Sequence, residues 1–175
     1  MGHPLPANVI EPGEQPVEHI AIERTADPTV VRQVVEHPGV RPHIHEGETA
    51  VPIPVHESIY YLAAKVQRYS EGAVEDVLIG VMAFLPVNGA AWNPHIAILP
   101  AHRGTGTEAM RLGVAWMFEN TPCEKIVAHP PVFNTAMVRV FEKCGFRREG
   151  YSPRSFRWHG ELHDRFLMGI EKEPS

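Results

Sequence analysis

Between Ile98 and Met110 the chain reads ILPAHRGTGTEAM, and this junction constrains the fold more than any other stretch. An apolar run ends at Pro100. Arg103, Gly104 and Gly106 follow, and good helix formers begin directly after them. A strand that feeds straight into a helix leaves the helix's first N–H groups without partners. Those donors, together with the macrodipole, favour a negative group. Glycines clear side chains from that end, Arg103 adds a forked cation, and Thr105 and Thr107 add hydroxyls. Thr107 also stands where an N-cap belongs. A tight turn would use the same two glycines, so the stretch alone leaves open a phosphate cradle and a plain turn.

The neighbouring pattern supplies the frame. Nine of the 17 prolines fall in the first 54 residues. Residues 1–16 read as an extended tail and 17–175 as a single domain. Residues 17–23 alternate like a strand. At 27–37, Asp27 as N-cap and Pro28 at the first position start an amphipathic helix with apolar residues at 30, 31, 34 and 35. Residues 38–57 read as a polar, proline-rich loop. Strands are expected at 58–66, 75–87, 92–99 and 124–130, and helices at 107–119 and 134–146. Two closing strands, FRREGY and DRFLMGIE, flank a polar loop at 152–163. This order predicts an α/β (α+β) fold, a mixed sheet of about seven strands with helices on both faces. A right-handed crossover through 107–119 places 124–130 parallel to 92–99.

Apolar content of 43% and a net charge of −5 argue against a general nucleic-acid binder, which needs a basic face. No apolar run reaches 18 residues, so no membrane span is expected. The N-terminus lacks the pattern of a signal peptide. Cys123 and Cys144 then read as reduced thiols in the cytoplasm, with Cys144 in the core. His43, His45 and His56 have spacings that a metal could use, but the sequence places no fourth ligand and no metal is expected. Arg147, Arg148, Arg154 and Arg157 read as a solvated face, and Trp116 and Met117 as core.

Two motifs carry a resemblance. The segment NTAMVRVFEKCGF is similar to the N-x-x-A-x-x-L-Y-E-K-x-G-F segment of the GNAT superfamily of acyl-CoA-dependent N-acetyltransferases, with Asn134, Glu142, Lys143, Gly145 and Phe146 matching. The stretch LPAHRGTGTEAM resembles that superfamily's acyl-CoA loop, V-x-P-x-x-R-G-x-G-x-G-T-E-A-L, in a form two residues shorter. GFRREG and GELHDRFLMGI resemble the closing strands of the branch that acetylates protein N-terminal amines, and there is a further likeness to phage-encoded members.

The resemblance implies a GNAT-like fold with a splayed strand pair, here 92–99 and 124–130, and acetyl-CoA as cofactor. His102, Arg103, Gly104, Thr105, Gly106 and Thr107 would hold the diphosphate, with Lys143 nearby. The backbone at Ile98 and Leu99, and Asn134, would hold the pantetheine arm. The acceptor would be a small-molecule or peptide amine, and a homodimer is left open. Direct transfer needs a base, for which His95 is the candidate, with His129 and Glu149 behind it. The family's customary acid, a tyrosine, is Phe141 here, and Met137 stands where the N-terminal-amine branch often has serine. Tyr151 would be a substitute acid if the last strands fold over the cleft. The same departures admit another class, a GNAT-fold binding or structural module with weak or no catalysis.

Overall fold

The computed structural model describes residues 17–70 and 73–174; the expected tail at 1–16 lies outside the described residues. In chain order the elements are β1 (Val17–Thr25), α1 (Pro28–Val35), β2 (Tyr60–Ser70), β3 (Ala73–Pro86), β4 (Ala91–Ile98), α2 (Gly106–Asn120), β5 (Lys125–Ala128), α3 (Thr135–Lys143), β6 (Arg147–Trp158) and β7 (Glu161–Glu171). The strands form one seven-stranded sheet in the order β1-β2-β3-β4-β5-β7-β6, so the expected class and element order hold. Every pairing is antiparallel except β4 with β5.

Strand alternation divides the sheet into two apolar faces. On one, Leu62, Met82, Phe84, Trp92, Ile126 and Met168 pack against Met110, Val114 and Met117 of α2 and Val138 and Phe141 of α3. Trp116 lies against the same core, with its ring 6.0 Å from Tyr60. On the other, Val31, Val34 and Val35 of α1 cover Val81, with Ala97, Leu99 and Tyr61 alongside. The Asp27 carboxylate accepts from the Thr29 N–H and Pro28 opens the helix, as the sequence predicts.

Three expectations need correction. The hairpin strands β2 and β3 are longer than 58–66 and 75–87, because Gln67–Ser70 and Ala73–Val74 continue the ladder. Residues 152–163 are not a loop: Phe156 pairs with His163 and Trp158 with Glu161. The connection is the two-residue turn His159–Gly160, both at positive φ, which suits the twist of a hairpin. Finally, Thr107 is not the N-cap of α2. The helix starts at Gly106, the cap position falls on Thr105, and the Thr105 hydroxyl is donated back to the His102 carbonyl.

No helix among the described residues is long and apolar enough to cross a membrane.

Candidate active site

The parallel pair at the middle of the sheet comes apart. β4 pairs with β3 from Trp92 to Ile98, yet it meets β5 only at Ala91–Lys125 and Trp92–Ile126. A physical cause lies in the sequence. The Ala90 carbonyl accepts from the Lys125 N–H, while the Ala91 carbonyl accepts from Val87 and the Leu99 N–H goes to Ile79. Backbone groups of even-numbered residues on β4 therefore point toward β5 and those of odd-numbered residues toward β3. The next even residue after Trp92 is Pro94, which has no N–H to give, so the ladder stops there. Pro130 and Pro131 follow β5 on the other side.

Beyond Pro94 the backbone groups of Ile96 and Ile98 face the split with no strand opposite them. Unpaired edge groups inside a sheet are costly unless an extended chain completes the ladder. Leu99 differs from Ile98 here. Its N–H is donated to Ile79 and its carbonyl accepts from His102, so both its backbone groups are engaged.

The start of α2 sits at the open end of this split. A Cβ built on Gly106 would lie 3.6 Å from Ile98 Cγ1, so the first turn rests on the end of β4. No side chain caps α2, leaving its first amides for another acceptor. Gly104 has φ +102° with open space where a side chain would project, a conformation that favours glycine. Arg103 is exposed and has no carboxylate within ion-pair distance among the described residues, whereas Arg111 is paired with Glu108 in the first turn. The Cys144 thiol is donated to the Thr107 carbonyl, which holds the end of α3, with exposed Lys143, beside the start of α2. Across the split the Asn134 Oδ1 accepts from the Met137 N–H as N-cap of α3, leaving its NH2 uncommitted among the described bonds. An unpaired strand edge running into an uncapped helix start fits a ligand with an extended amide arm and a diphosphate.

On the α1 face two imidazoles flank the split. His95 and His129 each lie three residues beyond the last paired residues, Trp92 and Ile126. The Asn93 amide donates to His129 Nδ1 at 3.4 Å, across the gap. His95 is exposed, yet enough protein surrounds its imidazole to make the charged form costly. Its pKa lies below the usual 6.5, lowered first by desolvation and then by the charge of His129. Half-buried His129 is lowered by desolvation and by Arg165. An imidazole kept neutral near pH 7 can accept a proton.

The remaining candidates are elsewhere. Tyr151 lies on β6, the edge strand, separated from β4 by β5 and β7. Its hydroxyl is donated to Asp164, which raises its pKa, and its ring lies against Phe166 on the α2–α3 face. The structure does not bring it to His95. Glu149 accepts from Lys125 Nζ at 2.9 Å. Phe141 is buried, 4.9 Å from the Phe146 ring. His45 and His56 bond Thr49 and Ser58, and no cluster of three or more metal-ligating side chains occurs among the described residues. A pocket lined by Arg24, Asp27, Val31, Ile53, His56 and Tyr61 lies at the β1–α1 turn, away from the split. Sequence reading missed Pro94 and Asn93, although the proline was visible in WNPHI.

Residues 15–147 match the family model described as an acetyltransferase (GNAT) domain. The chain is 33% identical over 103 residues to the probable N-acetyltransferase YjcK of Bacillus subtilis, covering 56% of this chain and 57% of that protein, so the match spans just over half of that relative. Among solved structures, spermidine N-acetyltransferase from Vibrio cholerae in complex with CoA and spermine has a TM-score of 0.68 at 18% identity, covering 87% of this chain and 95% of that one. A GNAT-family acetyltransferase from Bacillus anthracis has a TM-score of 0.52 at 25% identity, over 62% of this chain and 65% of that one.

Proposed function

This chain belongs to the GNAT acetyltransferase family, and on that premise we propose that it transfers an acetyl group from acetyl-CoA directly to a primary amine held on the α1 face of the split. The observation that carries the reading is the split itself, with the unpaired backbone of Ile96 and Ile98 leading to the uncapped start of α2. When bound, acetyl-CoA supplies the activated acyl group. The Ile96 and Ile98 backbone and the Asn134 NH2 bind the arm. The amides of Gly104, Gly106 and Thr107, with His102, Arg103 and Lys143 around them, bind the diphosphate, while the Thr105 N–H is held by the His102 carbonyl and its hydroxyl stays beside them. His95 takes the proton from the acceptor ammonium on an imidazole nitrogen, and its lowered pKa leaves it unprotonated at neutral pH.

No side chain is assigned as general acid. Phe141 carries no proton to donate, and Tyr151 is committed to Asp164. A missing acid costs roughly 10²–10⁴-fold in rate where it is needed, and a thiolate leaving group is the case that needs it least.

For the acceptor, the relatives named for spermidine suggest a small amine, and the closing strands resemble the branch that uses protein N-termini. The small amine is the preferred reading, because it needs only to reach His95 on the α1 face of the split. Titration calorimetry with acetyl-CoA, followed by thiol release with a panel of amines, tests the proposal. Absence of both heat and a thermal shift at millimolar acetyl-CoA would sink it.

Phe141 and the shortened loop before α2 favour a second reading, a GNAT-fold binding or structural module with weak or no catalysis. Acetyl-CoA binding without thiol release on any amine would support that reading in its catalytically silent form.

A further inference from the structure

Arg165, on the α1 face, is half-buried and has no carboxylate within ion-pair distance among the described residues. The bridge Pro131–Arg165 continues the β5–β7 register, in which Ala128 pairs with Met168. His129 therefore stands opposite Leu167, and Arg165 is its diagonal neighbour on the same face. The influence of Arg165 on the His129 imidazole agrees with that placement. Arg165 is half-buried and held: its Nε donates to Ser155 Oγ at 3.0 Å, and that hydroxyl donates to the Ser152 carbonyl at 3.0 Å. The other edge of the guanidinium fork has no carboxylate within ion-pair distance among the described residues. By contrast, Arg32, Arg41, Lys65, Arg68, Lys125 and Arg148 all have one.

Most acidic groups near the closing strands are already taken, and Glu161, exposed at the start of β7, lies four residues from Arg165 and is not paired with it. Asp164 projects to the opposite face, where it accepts from the Tyr151 hydroxyl and the Arg154 N–H. Glu149 and Glu171 hold Lys125 at the far end of β7, and Glu46 holds His159 at the hairpin turn. The site thus presents two imidazoles and a pinned, half-buried guanidinium, with no carboxylate within ion-pair distance of that guanidinium among the described residues.

We propose that Arg165 binds a carboxylate on the acceptor, so that the substrate is a primary amine bearing a carboxylate, of the amino-acid type, rather than a polyamine. A planar fork with one edge fixed presents its remaining N–H groups in the geometry a carboxylate fills. The same cation disfavours the acceptor's ammonium form, which eases proton loss toward His95. This inference rests on the acetyl-transfer reading above.

The test uses the full chain and a series of glycine, β-alanine and 4-aminobutyrate with their matched amides, and spermidine, read as kcat/KM for thiol release. At least one acid should exceed its amide and spermidine by tenfold or more. Arg165→Gln should erase that ratio while leaving acetyl-CoA affinity and Tm near those of the parent. Turnover with no preference for any acid, or a preference that survives Arg165→Gln, overturns this inference alone. If acetyl-CoA does not bind, or no amine in a broad panel is acetylated, the enzymatic reading fails and this inference fails with it.

Discussion

His95 and His129 oppose one another's charge: they occupy equivalent positions on the two walls of the split, and a proton on His129 makes His95 a weaker base. Both release their protons at lower pH in the folded chain than in the unfolded one. Below the ordinary value of 6.5 the unfolded chain therefore binds more protons. Stability should rise with pH through that range and fall in acid. The acid limb of kcat/KM should lie below 6.5. His129→Gln should move that limb upward, and His95→Gln should abolish it along with most of the rate. A limb unmoved by His95→Gln removes that imidazole from the mechanism.

Gly104 and Gly106 should answer differently to alanine. At Gly104 the positive φ makes Cβ costly, on the order of 1–2 kcal/mol, so Gly104→Ala should lower Tm and weaken acetyl-CoA binding together. At Gly106 the new methyl meets only Ile98 Cγ1 at 3.6 Å, so Gly106→Ala should leave Tm within a few degrees. Its cost should fall on acetyl-CoA affinity, measured by calorimetry.

Asn134 has two duties that substitution can separate. Asn134→Ala removes the cap of α3 and should cost about 0.5–2 kcal/mol in chemical denaturation. Asn134→Ser keeps a capping oxygen and should restore most of that stability. Both variants lose the NH2, so both should raise KM for acetyl-CoA. Full recovery of KM in the serine variant would confine Asn134 to the helix.

Arg103 is exposed, and its contribution is expected to be mainly Coulombic. Arg103→Ala should weaken acetyl-CoA binding about tenfold at low salt, equivalent to about 1.4 kcal/mol, with a smaller difference at 0.5 M salt. A salt-independent effect would show that the fork makes a directed bond instead.

Much of the architecture is legible in local pattern. Asp27 and Pro28 announce α1, valines 31, 34 and 35 its buried stripe, and the junction from Pro100 to Gly106 the passage from β4 into α2. The closing hairpin is less legible. Arg154 adopts φ +48° within an irregular stretch of β6, where the four steps from Ser152 to Phe156 face only two from Arg165 to His163, so the register beyond it cannot be counted along the strand. Their partners, His163 and Glu161, are found only across the turn. The relationships among Asn93, His129 and Arg165 are likewise set between strands, and no spacing along one strand could disclose them.

Pro94 gives the split a permanence that an ordinary strand would lack. A pyrrolidine ring, rather than an incoming guest, keeps the two neighbours from zipping, so free and liganded protein should share nearly the same shape. Rapid-mixing traces should then show one phase whose rate grows linearly with ligand concentration. Pro94→Ala, by supplying the absent amide hydrogen, should introduce a slow, saturating step in which the seam must first be unfastened.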